Sequence, residues 1–124
     1  MTNILIVEDN PDINLLYQRL FHNQKTECAL NGIDAIDSLR GNQYDLVLLD
    51  LHLPKVSGVE VLEFLRAQPE NKEAIVIIVS SDDALKHRCQ DIGINHWLTK
   101  PIEIEELLTT VQQYLKNDST APTT

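Results

Sequence analysis

Five short apolar runs alternate along the chain with segments of helical periodicity, and this alternation constrains the fold more than any other feature. The runs cover residues 3–7, 26–30, 45–49, 74–79 and 96–98. Residues 4–7 and 46–49 are apolar on both faces, which is typical of parallel strands covered by helices on both sides. Because parallel strands need crossover connections, the sequence predicts an α/β fold with a five-stranded, doubly wound parallel sheet, (βα)5.

Each interval between the runs carries a helix signal. Asn10 followed by Pro11 is a cap with proline at the first helical position. The second helix is expected to open at Asn31 and Gly32 and to end at Gly41, with the third over 58–67 and the fourth over 84–92. Helical spacing predicts two buried stripes, one in the first helix (Ile13, Leu16, Tyr17, Leu20, Phe21) and one in the last (Ile104, Leu107, Leu108, Val111, Leu115).

The length and charge of the chain limit what it can be. Its 124 residues suit one domain, expected over residues 1–116, and 117–124 is predicted to be a disordered tail or linker stub. A net charge of −9 argues against direct nucleic-acid binding. No apolar run reaches the roughly 18 residues of a membrane span, and the start lacks the basic region of a signal peptide. We therefore expect no membrane association and a cytoplasmic location.

Charged and hydroxyl side chains follow four of the predicted strands: Glu8 and Asp9, Asp50, Ser80, and Lys100. The carboxyl ends of parallel strands meet at one edge of a sheet, where ligands bind. Carboxylates brought this close repel one another, and one lysine cannot balance three of them. A hard divalent cation can, so the sequence predicts a site for Mg²⁺, with Mn²⁺ as the alternative cation.

Each of these residues has an ordinary structural explanation when it is taken alone. An aspartate after a strand often caps a helix, as Asp9 or Asp82 would. Asp50 is a poor cap, because residues 51–54 delay the next helix. Lys100 precedes a proline, and an X-Pro turn, cis or trans, would aim the lysine side chain. The joint occurrence of these residues at successive strand ends favours a functional site.

In order and spacing, these motifs resemble the receiver domain of two-component response regulators of the chemotaxis-regulator type. The resemblance covers residues 3–116 and rests on 4–10, Asn31 and Gly32 with Ala35, 45–54 with Gly58, 79–81, Gly93 and 100–102. It implies a flavodoxin-like sheet with strand order 2-1-3-4-5. It also implies a phosphoacceptor signalling domain, which catalyses only its own phosphorylation and dephosphorylation and is not an enzyme acting on outside substrates.

The resemblance implies a role for each matched residue. Asp50 would be the phosphoacceptor, Ser80 would donate its hydroxyl to the phosphoryl group, and Lys100 would pair with that group electrostatically. The metal ligands would be Glu8, Asp9, Asp50 and the backbone carbonyl of His52. Phosphoryl transfer spreads charge over three equatorial oxygens, which a cation and a fixed lysine stabilise.

Three further positions bear on regulation. Trp97 occupies the aromatic switch position, where tyrosine or phenylalanine is usual, and would turn inward as Ser80 is drawn to the phosphoryl group. His52 and Asp82 lie two residues after Asp50 and Ser80, at positions that vary within the family. Either they bracket the attacking water and set the lifetime of the phosphorylated state, or both point to solvent, and the sequence leaves both readings open.

The resemblance also indicates partners. The phosphoryl donor would be a histidine kinase or a histidine phosphotransfer protein. The output face would be the fourth helix, fifth strand and fifth helix, and residues 103–116 lack the arginine that DNA-binding relatives tend to carry there. The lack of arginine favours a downstream protein partner or an output domain missing from this chain. The chain itself is either a free-standing receiver or a fragment of a longer regulator.

Three other functions compete on the same fold. A flavin- or nucleotide-binding domain would need small donor residues after the first strand, where Glu8 and Asp9 have the wrong charge. A phosphatase acting on outside substrates would want a second acid where His52 stands. A degenerate receiver that only binds partners is disfavoured, because the acceptor, metal and lysine positions are all filled.

Overall fold

A computed structural model describes residues 2–118, with side chains for residues 2–115. The elements in chain order are β1 (Asn3–Val7), α1 (Pro11–Leu20), β2 (Lys25–Ala29), α2 (Gly32–Gly41), β3 (Leu46–Asp50), α3 (Gly58–Ala67), β4 (Ile75–Ser80), a 3-10 turn (Asp83–Leu85), α4 (Lys86–Ile92), β5 (His96–Thr99) and α5 (Ile104–Asp118). Helix α5 extends two residues into the predicted tail, whose remaining residues, 119–124, lie outside the described part of the chain. Within the described residues, no helix is both long and apolar enough to cross a membrane.

All neighbouring strands of the sheet are parallel, in the order β2-β1-β3-β4-β5. The predicted strand order and fold class are confirmed. Strand β1 pairs with β2 on one side and with β3 on the other, so the order of the strands reverses between β1 and β3. The carboxyl ends of these two strands border the crevice in which such sheets bind ligands.

Two apolar layers cover the sheet, and alternate strand residues point to opposite layers. One layer packs against α2, α3 and α4 and includes Leu5, Leu49 and Leu62. The other packs against α1 and α5 and includes Ile6, Leu48 and Val111. Strands β1, β3 and β4 are therefore covered on both faces, as their continuous apolar sequences predict.

The predicted boundaries of four strands differ from the observed ones by one residue. The strands β2, β3 and β4 each span a run shifted by one position from the predicted one, and β5 extends to Thr99. Asp50 and Ser80 are therefore the last residues of their strands instead of the first residues after them. The predicted fourth helix is divided into a 3-10 turn and a shorter α4.

The predicted buried stripes of the first and last helices are wrong in part. Ile13 and Leu16 on α1 and Ile104 on α5 are exposed. The remaining members of the two stripes are buried (Phe21, Leu107, Val111) or half-buried (Tyr17, Leu20, Leu108, Leu115). In α1 the fully buried side chain is Asn14, because that position faces backbone carbonyls at the strand ends and a donor is needed there. Helical periodicity places Ile13, Leu16, Tyr17 and Leu20 on one face of α1, whereas the buried face is turned toward Asn14, so periodicity alone does not select the inner face.

Candidate functional site

Three carboxylates converge at the carboxyl edge of β1 and β3. Glu8 directly follows β1, Asp50 ends β3, and both are only 3% exposed. Asp9 lies beside them at the surface. One oxygen from each of the three groups lies within 4.8 Å of the others. The parallel register of β1 and β3 thus brings together the acids that the sequence predicts at one edge.

The Glu8 carboxylate is only partly satisfied by the protein. Its Oε2 atom accepts a hydrogen bond from the Asn10 backbone N–H at 3.0 Å. Its Oε1 atom is buried without a hydrogen-bond partner and lies 3.7 Å from the Lys100 ammonium nitrogen. The pKa of Glu8 is raised to about 7, chiefly by burial and also by the neighbouring Asp50 charge, although the hydrogen bond from Asn10 acts in the opposite direction. The site therefore disfavours a further negative charge unless positive charge is added.

Asp50 is held from two directions. Its Oδ1 atom accepts a hydrogen bond from the His52 backbone N–H at 3.0 Å, and its Oδ2 atom accepts one from the Lys100 ammonium at 2.8 Å. Burial lowers the pKa of Lys100, but the hydrogen bond and the charge of Asp50 outweigh it, so the net pKa lies above its ordinary value. Lys100 is thus a fixed positive charge on the Asp50 carboxylate.

Lys100 and Ser80 are placed by the ends of β4 and β5. The Lys100 backbone N–H donates to the Ser80 carbonyl at 3.0 Å, and the peptide bond from Lys100 to Pro101 is cis. Ser80 is fully buried, and its hydroxyl oxygen accepts a hydrogen bond from the Asp82 backbone N–H at 3.0 Å. Because Asp50 pairs with Val79 across β3 and β4, Ser80 ends β4 one residue beyond the partner of Asp50.

Trp97 lies below this edge and is not part of the carboxylate cluster. It pairs with Ile78 across β4 and β5, two residues before Ser80 along β4. The indole is half-buried against the core layer of α2, α3 and α4. Its Nε1 atom is buried without a hydrogen-bond partner.

His52 and Asp82 approach each other at the surface beside the site. His52 Nε2 lies 3.9 Å from Asp82 Oδ2, and the two side chains are 59% and 38% exposed. The other Asp82 oxygen, Oδ1, accepts a hydrogen bond from the Ala84 backbone N–H and caps the 3-10 turn. Asp82 thus has the ordinary capping role as well as a position facing His52, and the two sequence-based readings of this pair both stay predictions.

The sequence did not point to Asn14 as a residue of this region. Its Nδ2 atom lies 3.1–3.3 Å from the carbonyl oxygens of Ile6, Glu8 and Ala29, and its Oδ1 atom accepts a hydrogen bond from Gln18. The side chain therefore ties the end of β1, which carries the acidic pair, to the end of β2. The sequence carries no distinctive signal for this role, since Asn14 is one of four polar residues in α1.

The arrangement fits a hard divalent cation. Three carboxylate oxygens lie within 4.8 Å of one another, and one of the three groups has a buried oxygen without a hydrogen bond. Lys100 supplies a single positive charge to this cluster. Oxygen ligands and an excess of negative charge are what Mg²⁺ sites in proteins provide.

The fold and the acidic cluster at its carboxyl edge are matched by a known protein family. The family model of the response regulator receiver domain matches residues 4–112. The chain therefore belongs to the response regulator receiver family, as the sequence motifs predict, and is a receiver domain of two-component signalling.

Curated relatives show the same family in longer proteins. The chain is 36% identical over 118 residues to the response regulator ArlR of Staphylococcus haemolyticus, and equally to that of Staphylococcus aureus. Each alignment covers 94% of this chain and 53% of the relative. The chain thus spans about half the length of these relatives.

Solved structures share the fold along nearly the whole chain. The receiver domain of the sensor histidine kinase PA1611 from Pseudomonas aeruginosa has a TM-score of 0.82 and 26% identity, over 92% of this chain and 97% of that one. That structure has a magnesium ion coordinated in its active-site cleft. The response regulator TrrA from Thermotoga maritima, in complex with Mg²⁺ and BeF, has a TM-score of 0.80 and 27% identity, over 92% and 99% of the two chains.

Proposed function

We propose that this receiver domain accepts a phosphoryl group on Asp50 from a histidine kinase or a histidine phosphotransfer protein. The observation that carries the proposal is the Asp50 carboxylate, buried at a strand end, with Lys100 Nζ at 2.8 Å and two further acids beside it. A buried carboxylate with a fixed cationic partner and an acidic cluster is suited to phosphoryl transfer.

We further propose that Mg²⁺, or Mn²⁺ in its place, binds Glu8, Asp9, Asp50 and the backbone carbonyl of His52. When bound, the cation supplies positive charge that offsets the charge on the phosphoryl oxygens. The buried, unpartnered Oε1 atom of Glu8 supports this assignment, because an uncompensated buried carboxylate oxygen is costly.

Asp50, Lys100 and Ser80 have the remaining roles in the transfer of the phosphoryl group. An Asp50 oxygen forms a bond to phosphorus as the bond from phosphorus to the donor histidine nitrogen breaks. Lys100, whose raised pKa keeps it protonated at neutral pH, pairs with a phosphoryl oxygen. The Ser80 hydroxyl donates a hydrogen bond to another. Self-catalysed hydrolysis of the acyl phosphate later restores Asp50, so the domain signals without turning over an outside substrate.

Output is proposed to leave through the face formed by α4, β5 and α5. Movement of Ser80 toward the phosphoryl group would free space that Trp97 enters, and that face would then engage a downstream protein partner or an output domain. The location is proposed to be cytoplasmic, with no membrane or direct nucleic-acid contact. The net charge of −9 and the absence of arginine from residues 103–116 support a protein partner.

Phosphorylation of Asp50 is the central test. Incubation with acetyl phosphate and Mg²⁺ should add one phosphoryl group in an intact-mass measurement, and Asp50→Asn should abolish the addition because the nucleophilic oxygen is lost. Asp37→Asn, an exposed position on α2, is the matched control and should be modified like wild type. Modification of Asp50→Asn at the wild-type level would show that the acceptor is elsewhere.

A further inference from the structure

The first residue of α2 makes a close contact with the loop between β3 and α3, residues 51–57. The Gly32 N–H donates a hydrogen bond to the Pro54 carbonyl at 3.3 Å. A Cβ atom at Gly32 would lie 2.0 Å from the Val56 carbonyl oxygen and 2.7 Å from its carbon. Only glycine fits here without displacement of the loop backbone.

The loop beside Gly32 has a rarely populated backbone conformation. The Val56 N–H donates to the Pro54 carbonyl at 2.9 Å, and the intervening Lys55 has a φ of 73°. This pairing with a positive φ is the geometry of a classic γ-turn, which is rare and strained. Strained conformations persist when the surrounding structure over-determines them. The Pro54 carbonyl accepts one hydrogen bond from within the turn and one from Gly32. Helix α2 therefore supplies part of the constraint that keeps the turn in its strained conformation.

The same loop carries the backbone carbonyl of His52. At its start, the His52 N–H is bonded to Asp50, and at its end the Gly58 N–H donates to the Leu51 carbonyl at 2.9 Å. Both ends are thus fixed by residues of β3, the loop and α3. The middle of the loop is bonded to Gly32, which belongs to a different element of the fold.

We propose that Gly32 is a positioning residue that holds the β3–α3 loop in the conformation in which the His52 carbonyl binds Mg²⁺. The inference rests on the proposed metal ligands. A Cβ at Gly32 would have to move from 2.0 Å to about 3.0 Å or more from the Val56 oxygen, and such a displacement is large for a site whose ligand distances are fixed within tenths of an ångström.

The test is calorimetric titration with Mg²⁺ of wild type and three variants, together with thermal unfolding of each. Gly32→Ala should weaken Mg²⁺ binding by about tenfold or more, as loss of an outer-shell support does. Gly41→Ala, on the same helix with no atom within 4 Å of the added Cβ, should bind like wild type. Asp9→Asn should bind weakly, because a carboxylate is lost from the cluster.

The outcomes separate this inference from the proposed function. If Asp9→Asn binds Mg²⁺ like wild type, the proposed metal site is wrong. If Asp9→Asn binds weakly while Gly32→Ala keeps wild-type affinity, the metal site stands and the positioning role is wrong. A lower melting temperature of Gly32→Ala with unchanged Mg²⁺ affinity also overturns the inference, since it shows a purely structural role.

A measurement on wild type covers the case in which Gly32→Ala does not fold. Coupling between sites is reciprocal, so if the contact of Gly32 with the loop favours Mg²⁺ binding, Mg²⁺ must strengthen that contact. Saturating Mg²⁺ should then slow hydrogen exchange of the Gly32 amide more than that of Gly93, whose amide is bonded to Cys89 away from the loop. Equal slowing of the two amides would overturn the inference.

Discussion

Buried polar groups at the two edges of the sheet differ in how completely they are hydrogen-bonded within the chain. At the amino edge, Asn71 is fully buried and its amide is satisfied: Oδ1 accepts from the Tyr44 N–H, and Nδ2 lies within hydrogen-bonding distance of the Leu39 and Asn42 carbonyls. The Arg66 guanidinium likewise reaches the carbonyls of Lys72, Ala74 and Gly93 and the side chain of Asn95. Every strong donor of this network has a partner within the chain, so the amino edge is built for stability.

At the carboxyl edge the buried groups are ionisable, and they have too few hydrogen-bond and charge partners within the described chain. Glu8 keeps a buried oxygen without a hydrogen bond, and one lysine faces two buried carboxylates. Buried polar groups that are hydrogen-bonded within their own chain indicate a structural role. Buried ionisable groups that lack hydrogen-bond or charge partners indicate a ligand-binding site. This difference separates a structural network from a candidate site within one small domain.

The largest stability effect is expected at the amino edge. Asn71→Ala would leave the Tyr44 N–H and the Asn42 carbonyl without the bonds from Asn71, whereas the Leu39 carbonyl would keep its hydrogen bond from Gln68. We expect a loss of about 3 kcal/mol in the free energy of unfolding, measured by urea titration. Asn42→Ala, whose exposed amide donates to the Ser38 carbonyl, should change the free energy of unfolding little. Mg²⁺ affinity should be unchanged in both. A marked loss of Mg²⁺ affinity in Asn71→Ala would break the proposed separation of the two edges.

The carboxyl edge should instead make stability fall as pH rises. The unfolded chain releases the Glu8 proton near its ordinary pKa of 4.5, whereas the folded protein keeps that proton until about pH 7, chiefly because of burial. Between these values the folded state binds more protons, so the free energy of unfolding should drop by up to about 1.4 kcal/mol per pH unit without Mg²⁺.

Glu8→Gln should remove this dependence, because glutamine does not ionise. Glu105→Gln, at an exposed position of α5, should keep the wild-type slope. Denaturant unfolding of the three proteins at several pH values between 4.5 and 7 measures the effect. A wild-type slope retained in Glu8→Gln would assign the pH dependence to another group.

The sequence predicts the carboxyl edge better than the rest of the molecule for a geometric reason. Once the runs are assigned to parallel strands, their ends must meet, so Glu8, Asp50 and Lys100 can be brought together without knowledge of the packing. The structure places them as expected. Their roles as metal ligands, acceptor and phosphoryl partner stay predictions that follow from the family.

The sequence does not predict which side chains contact one another across different helices, strands and loops. The burial of Asn14 depends on which side of α1 faces the sheet, and the exposure of Ile104 depends on which side of α5 does. Gly32 could be recognised as the start of a helix, but its approach to Val56 depends on how α2 and the β3–α3 loop are arranged in space.

The His52 and Asp82 pair offers a smaller, kinetic test of the carboxyl edge. If the two side chains bracket the attacking water, His52→Ala and Asp82→Ala should each change the dephosphorylation half-life severalfold without preventing phosphorylation. The stability of the fold should change little, since both side chains are more than a third exposed. His87→Ala, an exposed position on α4, is the control. Equal decay of all four proteins would favour the solvent-facing reading.

The smallest signal is expected from Trp97, the single tryptophan of the chain. Beryllofluoride with Mg²⁺ mimics the phosphoryl group, and if Ser80 then moves toward Asp50, the indole should turn further inward. Its emission should shift to shorter wavelength and iodide should quench it less, with Ser80→Ala blunting both changes. We expect a modest shift, because the ring is already half-buried and its Nε1 atom is inaccessible at the start. The fluorophore reports a change of state only if the ligand binds the two states with different affinity. Unchanged emission and quenching in a protein whose Asp50 is demonstrably modified would mean that Trp97 is locked. The signal would then have to leave the carboxyl edge by a route other than β5.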